Sequence, residues 1–175
     1  MVKIDLKTKI REIPDFPKPG ILFYDITTIL QDADALKESI EQMYDLIKDK
    51  KFDKVAAIES RGFIFAVPLA LKLGCGFAII RKPGKLPHTK ISESYDLEYG
   101  SNTIEMHDDS IKQDENVLLV DDLLATGGTM TAAINLVEKL GGKVEAILFL
   151  VELTFLNGRD KLGNHNIQSL LKYDK

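Results

Sequence analysis

Residues 117–130 have the sequence Val117-Leu118-Leu119-Val120-Asp121-Asp122-Leu123-Leu124-Ala125-Thr126-Gly127-Gly128-Thr129-Met130. An apolar run of four residues ends in two adjacent acids, and a turn with two adjacent glycines follows. After the turn, apolar residues recur at helical spacing over residues 131–140. Because a short apolar run without alternation suits a strand buried on both faces of a parallel sheet, the stretch predicts a strand, a loop and a helix. This succession is typical of an α/β fold.

The predicted loop has the features of a phosphate cradle. Ligands of parallel sheets bind outside the carboxyl ends of the strands. The two glycines permit positive φ and leave backbone N–H groups bare, and the helix that follows directs its dipole at an anion. The phosphate would lie on Ala125, Thr126, Gly127, Gly128 and Thr129. Asp121 and Asp122 can accept hydrogen bonds from two neighbouring hydroxyls, so the stretch favours a 5-phosphorylated pentose over a strand, turn and helix without a ligand.

Other phosphate-binding loops fit the stretch less well. A P-loop requires a lysine directly after its last glycine, and no lysine follows Gly128. The stretch also contains no G-x-G-x-x-G pattern of the dinucleotide-binding type. The acid pair directly ahead of the turn therefore remains the distinguishing feature.

Composition and charge limit the class of protein. The chain has 175 residues, 45% hydrophobic and 29% charged, which suits one domain with a sizeable core. A net charge of -4 disfavours a nucleic-acid partner held by bulk charge. Cys75 is the only cysteine, so no internal disulfide can form, as is typical of a cytoplasmic protein. We expect no membrane association, because no apolar run reaches the length of a span and the first residues lack a signal-peptide core.

The remaining chain predicts further elements. Residues 1–12 have the pattern of a short amphipathic helix, and residues 28–50 that of a longer one capped by Asp32 or Asp34. Between them, three prolines impose an extended path, and residue types alone favour a strand that caps the core over a segment that stacks on a flat ligand. A helix is predicted over 63–73. Buried strands are predicted at 54–58, 76–80, 103–106 and 144–151, with 153–156 and Leu162 finishing the sheet.

Two further segments can bind anions. Residues 59–62 follow a predicted strand at its carboxyl end, where Arg61 is either a pyrophosphate ligand or an arginine in a surface ion pair. Residues 81–103 are basic and broken by proline and glycine, and a connection of this length is typical of a functional lid. The lid would clamp pyrophosphate and exclude water, unless it is a solvated β-hairpin. The three histidines show no ligand-like spacing, so we predict no zinc site.

Six stretches of the chain carry a family resemblance. They lie at residues 16–23, 59–63, 81–87, 94–100, 120–129 and 151–153. In this order, and over nearly the whole chain, they resemble the adenine phosphoribosyltransferases, a branch of the type I phosphoribosyltransferase family. The resemblance implies the fold of that family. It is an α/β fold with a central, mostly parallel twisted sheet flanked by helices. We therefore expect a single domain over residues 1–175, with a small hood over the base site at 1–30 and a flexible lid at about 81–103.

The resemblance also implies an activity. It is the transfer of the 5-phosphoribosyl group from 5-phosphoribosyl-1-pyrophosphate (PRPP) to adenine, giving AMP and pyrophosphate in purine salvage. Mg²⁺ would bridge pyrophosphate and ribose oxygens with few direct protein ligands, and the protein would be a homodimer. Two alternatives stay open: a phosphoribosyltransferase for xanthine, hypoxanthine or guanine, and a non-catalytic regulator that senses PRPP.

Roles follow from the resemblance position by position. Catalysis would fall on Glu98, which would handle the proton of the base, and on Asp121 and Asp122, whose charge would stabilise a positive ribose ring. Adenine would contact Leu22, Phe23, Tyr24 and Leu123. Pyrophosphate would contact Ser60, Arg61, Lys82, Lys85 and Tyr99, with Arg81 reaching the site of a neighbouring subunit.

Two positions depart from other members of the superfamily. Tyr24 stands where an arginine is often found, so only its backbone is expected at the base. Ala125 stands where enzymes for 6-oxopurines carry an aspartate that handles the proton on N7 of the purine. An alanine cannot do this, which leaves Glu98 as the candidate for proton transfer.

Overall fold

The computed structural model describes residues 4–96 and 101–175, and it contains nine strands and four α-helices in those ranges. The strands are β1 (Arg11–Pro14), β2 (Leu22–Asp25), β3 (Lys54–Ile58), β4 (Gly76–Arg81), β5 (Lys90–Asp96), β6 (Ser101–His107), β7 (Asn116–Leu124), β8 (Lys143–Leu153) and β9 (Ile167–Tyr173). The helices are α1 (Thr27–Gln31), α2 (Ala33–Asp45), α3 (Arg61–Leu73) and α4 (Gly128–Lys139). Short 3₁₀ turns lie at Leu6–Lys9, Thr154–Leu156 and Gly158–Leu162.

Seven strands form the main sheet in the order β5-β6-β4-β3-β7-β8-β9. The pairs β4–β3, β3–β7, β7–β8 and β8–β9 are parallel, whereas β6 is antiparallel to both β4 and β5. Strands β1 and β2 form a separate antiparallel pair. The predicted α/β fold with a mostly parallel sheet is therefore confirmed, and the carboxyl ends of its parallel strands meet at one edge.

Strand β7 lies at the centre of the sheet and is buried on both faces. Leu118 and Val120 belong to one hydrophobic cluster, which also contains Phe65 of α3. Val117 and Leu119 belong to the cluster on the opposite face, to which α4 contributes. This is the burial that an apolar run without alternation predicts.

The sequence predicted that the central strand ends at the acid pair, but strand β7 continues through both acids. The strand continues to Leu124, because its pairing with β8 persists with Asp121 opposite Phe149 and Leu124 opposite Glu152. The hydrogen bonds of the neighbouring strand therefore hold the backbone of the two acids in an extended conformation. Ahead of the acids in the chain, the predicted buried strand is present over its whole length.

The predicted helices in the first fifty residues are only partly correct. The helix expected at 28–50 is divided at Asp32, which has extended backbone angles and accepts hydrogen bonds from the amides of Asp34 and Ala35, both at 3.1 Å. Asp32 is thus the N-cap of α2, which ends at Asp45. Of the helix expected at 1–12, the described residues form only the short turn Leu6–Lys9, because Arg11–Pro14 pairs with β2, and residues 1–3 lie outside the described ranges.

The last strand of the sheet was not predicted. Residues 153–156 do not finish the sheet, since Thr154–Leu156 form a 3₁₀ turn. The edge strand is β9, which among the described strands pairs with β8 alone and which mixes polar with apolar residues. Leu162 does pack as expected and is buried. No helix in the described ranges is long and apolar enough to cross a membrane.

The segment predicted as a lid, residues 81–103, contains β5 and the start of β6, which pair as a hairpin that continues to His107. The two strands pair from Lys90 opposite His107 to Asp96 opposite Ser101. The Glu93 carboxylate accepts hydrogen bonds from Asn135, at 3.0 Å, and from Lys139, and both of these residues lie on α4. The described part of the hairpin is therefore anchored to that helix.

Candidate active site

A cleft of about 680 Å³ opens at the carboxyl ends of β3, β4 and β7. Its size is typical of a site for a small molecule. Four cations line it, namely Arg61, Arg81, Lys82 and Lys85, and the acid pair, Leu123, Ala125 and Thr129 line it as well. A smaller recess of about 80 Å³ follows the loop after β7 and shares Asp121 with the cleft. The structure thus brings the acid pair, the glycine loop and the predicted anion ligands to one place.

The glycine loop is closed on its far side by backbone. Gly127 is the N-cap of α4 with φ +83°, and a Cβ on it would lie 2.4 Å from the carbonyl oxygen of Gly158. A Cβ on Gly158 would lie 2.1 Å from the carbonyl oxygen of Ala125. Two segments of backbone therefore touch here without side chains between them. The other side of the loop, at the helix N-terminus, is left for an anion.

An ion pair fixes the segment that supports the loop. The Arg159 guanidinium donates to both carboxylate oxygens of Glu152, from Nε at 3.0 Å and from Nη2 at 2.6 Å, and Nη1 donates to the carbonyl of Ile167 at 3.0 Å. The Glu152 side chain is only 5% exposed. The hydrogen bonds from Arg159 outweigh the effect of burial and lower the pKa of the Glu152 carboxyl. Gly158 is thereby held against the loop by its neighbour in sequence.

Asp122 is buried, with 6% of its surface exposed, and Asp121 beside it is partly buried. Burial and the charge of Asp122 raise the pKa of the Asp121 carboxyl well above its ordinary value. Burial also raises the pKa of Asp122, although Arg61 opposes the shift with its Nε 2.8 Å from Oδ2 of Asp122. The start of α3 packs close by, since a Cβ on Gly62 would lie 2.9 Å from Oδ1 of Asp121. The pair is thus a site of negative charge that the fold stabilises incompletely by itself.

The position of Arg61 is compatible with both roles that the sequence left open, a pyrophosphate ligand and an arginine in an ion pair. It pairs with Asp122, yet 44% of its side chain is exposed and it lines the cleft. Ser60 precedes it and also lines the cleft. An anion in the cleft would therefore find Arg61 next to the acid pair.

The sequence assigned no role to Glu59, which contacts Arg81, Lys82 and Lys85 in the wall of the cleft. Its carboxylate is 6% exposed and accepts from Nε of Arg81 at 2.6 Å and from the backbone amide of Lys82 at 3.0 Å. Nζ of Lys85 lies 3.1 Å from the same carboxylate. Burial would raise the pKa of Glu59, but these donors outweigh it and hold the pKa below its usual value. No pattern marks Glu59, because Arg81 follows it by 22 residues.

The residues predicted to contact the adenine base do not all line the cleft. Leu123 lines the cleft, whereas Leu22 and Phe23 are absent from the described residues that line it. The Phe23 ring packs on Phe16, with ring centroids 5.1 Å apart. Tyr24 is buried, with its ring 3.8 Å from that of Tyr173. Its side chain thus points into the core, in agreement with the expectation that only its backbone is available to a base.

Two predicted residues lie outside the described ranges. These are Glu98, predicted to handle the base proton, and Tyr99, predicted at the pyrophosphate. Within residues 4–96 and 101–175, no group of three or more His, Cys, Asp or Glu side chains could hold a metal ion.

The fold and the site define a class of protein, an α/β protein in which an acid pair, a glycine loop and a set of cations meet at the carboxyl edge of the sheet. Residues 25–161 match the family model of the phosphoribosyl transferase domain. The chain is 56% identical over 171 residues to the adenine phosphoribosyltransferase of Acetivibrio thermocellus. The alignment covers 97% of this chain and 100% of the relative. The chain belongs to the phosphoribosyltransferase family and, within it, to the adenine phosphoribosyltransferases.

Solved structures agree with this assignment. The adenine phosphoribosyltransferase of Thermoanaerobacter pseudethanolicus has a TM-score of 0.93 and 54% identity, over 97% of this chain and 98% of that one. The enzyme of Saccharomyces cerevisiae, solved with adenine and an imino-altritol bisphosphate, has a TM-score of 0.90 and 39% identity, over 95% and 97%. The chain therefore has the architecture of these proteins nearly throughout.

Proposed function

We propose that this chain transfers the 5-phosphoribosyl group of PRPP to adenine and releases pyrophosphate and AMP. One observation carries the proposal: a single cleft is lined by a carboxylate pair, four cations, and Ala125 and Thr129 at the two ends of the glycine loop, and the recess along the rest of that loop adjoins it. These correspond to the diol, the 5-phosphate and the pyrophosphate of PRPP. The relative from Saccharomyces cerevisiae, solved with adenine and a bisphosphate, supports adenine as the base.

The proposed reaction is a displacement at C1 of the ribose. A ring nitrogen of adenine attacks C1, and the bond from C1 to the pyrophosphate oxygen breaks with its electron pair leaving on pyrophosphate. Positive charge develops on the ribose ring, and the negative charge of Asp121 and Asp122 stabilises it. The same carboxylates accept hydrogen bonds from the ribose hydroxyls, while residues 125–129 hold the 5-phosphate.

The cations are assigned to the leaving group. Arg61, Arg81, Lys82 and Lys85 line the cleft and would bind pyrophosphate oxygens by charge-assisted hydrogen bonds. Ser60 and Tyr99 join them in this proposal, and Arg81 would also reach a neighbouring subunit. Their fixed positive charge would favour departure of pyrophosphate from C1.

The base is assigned to the neighbourhood of Leu123. The pair of strands β1 and β2 would serve as a hood that brings Leu22, Phe23 and the backbone of Tyr24 over the adenine. The β5–β6 hairpin would serve as the lid, with Glu98 handling the base proton, because Ala125 carries no group able to do so. Water kept away from C1 by the lid could not compete with the base.

The residues present fit a magnesium ion that is carried by the substrate. Glu59 is already engaged by cations and would not be a ligand of such an ion. Pyrophosphate oxygens, ribose oxygens and water would hold it, with the acid pair as the protein charge available to it. When bound, Mg²⁺ supplies neutralisation of the charge on the leaving pyrophosphate.

A homodimer and a cytoplasmic location complete the proposal. Helix α3 exposes an apolar face, since Ile64, Val67 and Leu71 are 38%, 42% and 78% exposed. Their spacing places them on one side of the helix, and an exposed apolar face is typical of a protein interface. Equilibrium sedimentation of the wild-type protein and of Leu71→Glu tests this assignment. The variant should be monomeric at concentrations where the wild type is a dimer.

The decisive experiment measures pyrophosphate release from PRPP with adenine, hypoxanthine, guanine or xanthine as acceptor. Release that depends on adenine alone is the expected result, with Asp122→Asn as the impaired variant. Release with xanthine, hypoxanthine or guanine instead would assign a different base. PRPP binding without release in the presence of any base would favour a regulator that senses PRPP.

A further inference from the structure

The Glu59 carboxylate lies at the centre of a set of donors that the sequence does not connect. Arg81 and Lys85 bring a positive charge each, and Lys82 contributes its backbone amide. The distances to the carboxylate oxygens are 2.6, 3.1 and 3.0 Å. Glu59 itself is nearly inaccessible, whereas the side chains of Arg81 and Lys85 are 33% and 48% exposed. The acid therefore lines the cleft together with these cations but exposes much less of its side chain than they do.

The geometry leaves the outer donors of these cations available. Glu59 receives the Nε hydrogen of Arg81, and Nη1 makes only a long contact, 3.5 Å, with the carbonyl of Lys85. Lys85 has three N–H donors and directs one of them at Glu59. An anion in the cleft can bind the remaining donors without breaking the contacts to Glu59. Glu59 and such an anion thus do not compete for the same hydrogens.

We propose that Glu59 is a positioning residue that holds Arg81, Lys85 and the Lys82 amide in the arrangement that binds pyrophosphate. The proposal rests on the function proposed above, in which these cations receive the leaving group. Without the carboxylate, two cations on one short segment repel each other, and two long side chains regain their rotamers. The ligand would then have to order them itself, which weakens its binding.

Pyrophosphate and AMP separate this role from a general structural one. Inorganic pyrophosphate uses only the cation side of the cleft, whereas AMP uses the phosphate loop, the acid pair and the base site. A defect in positioning these cations should therefore weaken pyrophosphate and spare AMP. A defect in folding should affect both ligands.

The test is calorimetric titration of the whole chain with inorganic pyrophosphate and, separately, with AMP, both at the same Mg²⁺ concentration. In Glu59→Gln, the amide nitrogen must face a donor whichever way it is turned, so at least one charge-assisted hydrogen bond is lost. Pyrophosphate affinity should fall about tenfold or more, because charge-assisted hydrogen bonds are among the stronger ones. AMP affinity should stay within about twofold, which is the usual effect of a change away from the contacts.

Glu152→Gln is the matched control, since it removes the charge of an equally buried carboxylate that is paired with Arg159 outside the cation set. This variant should lower the thermal stability of the protein without weakening its binding of pyrophosphate. Glu59→Asp keeps the charge on a side chain that is one methylene shorter. Its pyrophosphate affinity should lie between those of the wild type and Glu59→Gln. If Glu59→Gln does not fold, Glu59→Asp decides alone by losing pyrophosphate affinity with AMP affinity retained.

Three results would overturn the proposal. They are tighter pyrophosphate binding in Glu59→Gln, equal losses for AMP and pyrophosphate, and an equal loss of pyrophosphate affinity in Glu152→Gln. Tighter binding would mean that Glu59 competes with the ligand. Failure of the proposed function is a separate outcome, because it appears as wild-type protein that releases no pyrophosphate from PRPP with adenine.

Discussion

Replacing Gly127 by alanine should cost both stability and phosphate binding, for two reasons that the structure separates. Gly127 has φ +83°, a conformation that costs a residue with a Cβ about 1 kcal/mol. The new Cβ would also lie 2.4 Å from the carbonyl oxygen of Gly158, inside the 3.0 Å below which such contacts do not occur. Gly158 cannot withdraw cheaply, since its backbone lies against Ala125, where a Cβ on Gly158 would be 2.1 Å from the carbonyl oxygen, and the next residue, Arg159, is anchored to Glu152.

Overpacking of this kind typically costs about 1–3 kcal/mol, so the sum for Gly127→Ala is about 2–4 kcal/mol. For a chain of this length, 1 kcal/mol corresponds to about 2–4 °C, and the expected fall in Tm is roughly 5–15 °C. Gly74→Ala is the matched control. Gly74 has φ +68° with nothing within 4 Å of a Cβ, so only the conformational cost of about 1 kcal/mol applies.

The assay combines thermal unfolding with titration of AMP and pyrophosphate. Gly127→Ala should lose AMP affinity, because the loop that carries the 5-phosphate must shift away from Gly158, and pyrophosphate affinity should be retained. Gly74→Ala should keep both affinities. Equal falls in Tm for the two variants, or unchanged AMP affinity in Gly127→Ala, would refute the close packing of the loop on Gly158.

Three further predictions concern other parts of the site. Asp121→Asn should raise Tm at neutral pH while lowering turnover, because the folded pKa of this carboxyl lies above its unfolded pKa and the protein therefore loses stability as pH rises from the unfolded to the folded value. The gain in Tm should vanish in acid, and an unchanged Tm at neutral pH would contradict the effect of Asp122 and of desolvation on Asp121. Ala125→Asp should impair the use of adenine by placing a carboxylate beside the base; unchanged adenine kinetics would count against this position. Tyr24→Phe removes a hydroxyl that donates to the carbonyl of Lys175 at 2.6 Å and should cost about 1 kcal/mol in chemical denaturation, where an unaltered midpoint would assign no stability to this bond.

The sequence was sufficient where one local pattern determined one structure. The apolar run before the acid pair, the glycine turn and the helical spacing after it each predict an element without reference to the rest of the chain. The buried strand at 54–58 was likewise predicted with its observed bounds. In these stretches burial on both faces leaves little room for another arrangement.

The sequence was insufficient where the decisive partner lies far away in the chain. Strand β7 passes through Asp121 and Asp122 because β8 pairs with it, and no property of two acids announces that pairing. Strand β9 was missed because an edge strand with partly exposed residues has no strong apolar pattern. Glu59 lacks a local signature for the same reason, since its role depends on cations that follow β4.

The exposures of charged side chains indicate how the cleft meets its substrate. The carboxylates that pair with its cations are nearly buried, at 6% for Glu59 and 8% for Asp122. The cations in these pairs are 33–48% exposed. The negative groups are therefore fixed to the scaffold, and the positive groups present their free donors to the cleft. Because fixed charges need no reorganisation when a ligand arrives, an anionic substrate would bind the outer donors of ion pairs that already exist. Arg61, Arg81 and Lys85 could then bind phosphate oxygens while they stay paired with Asp122 and Glu59.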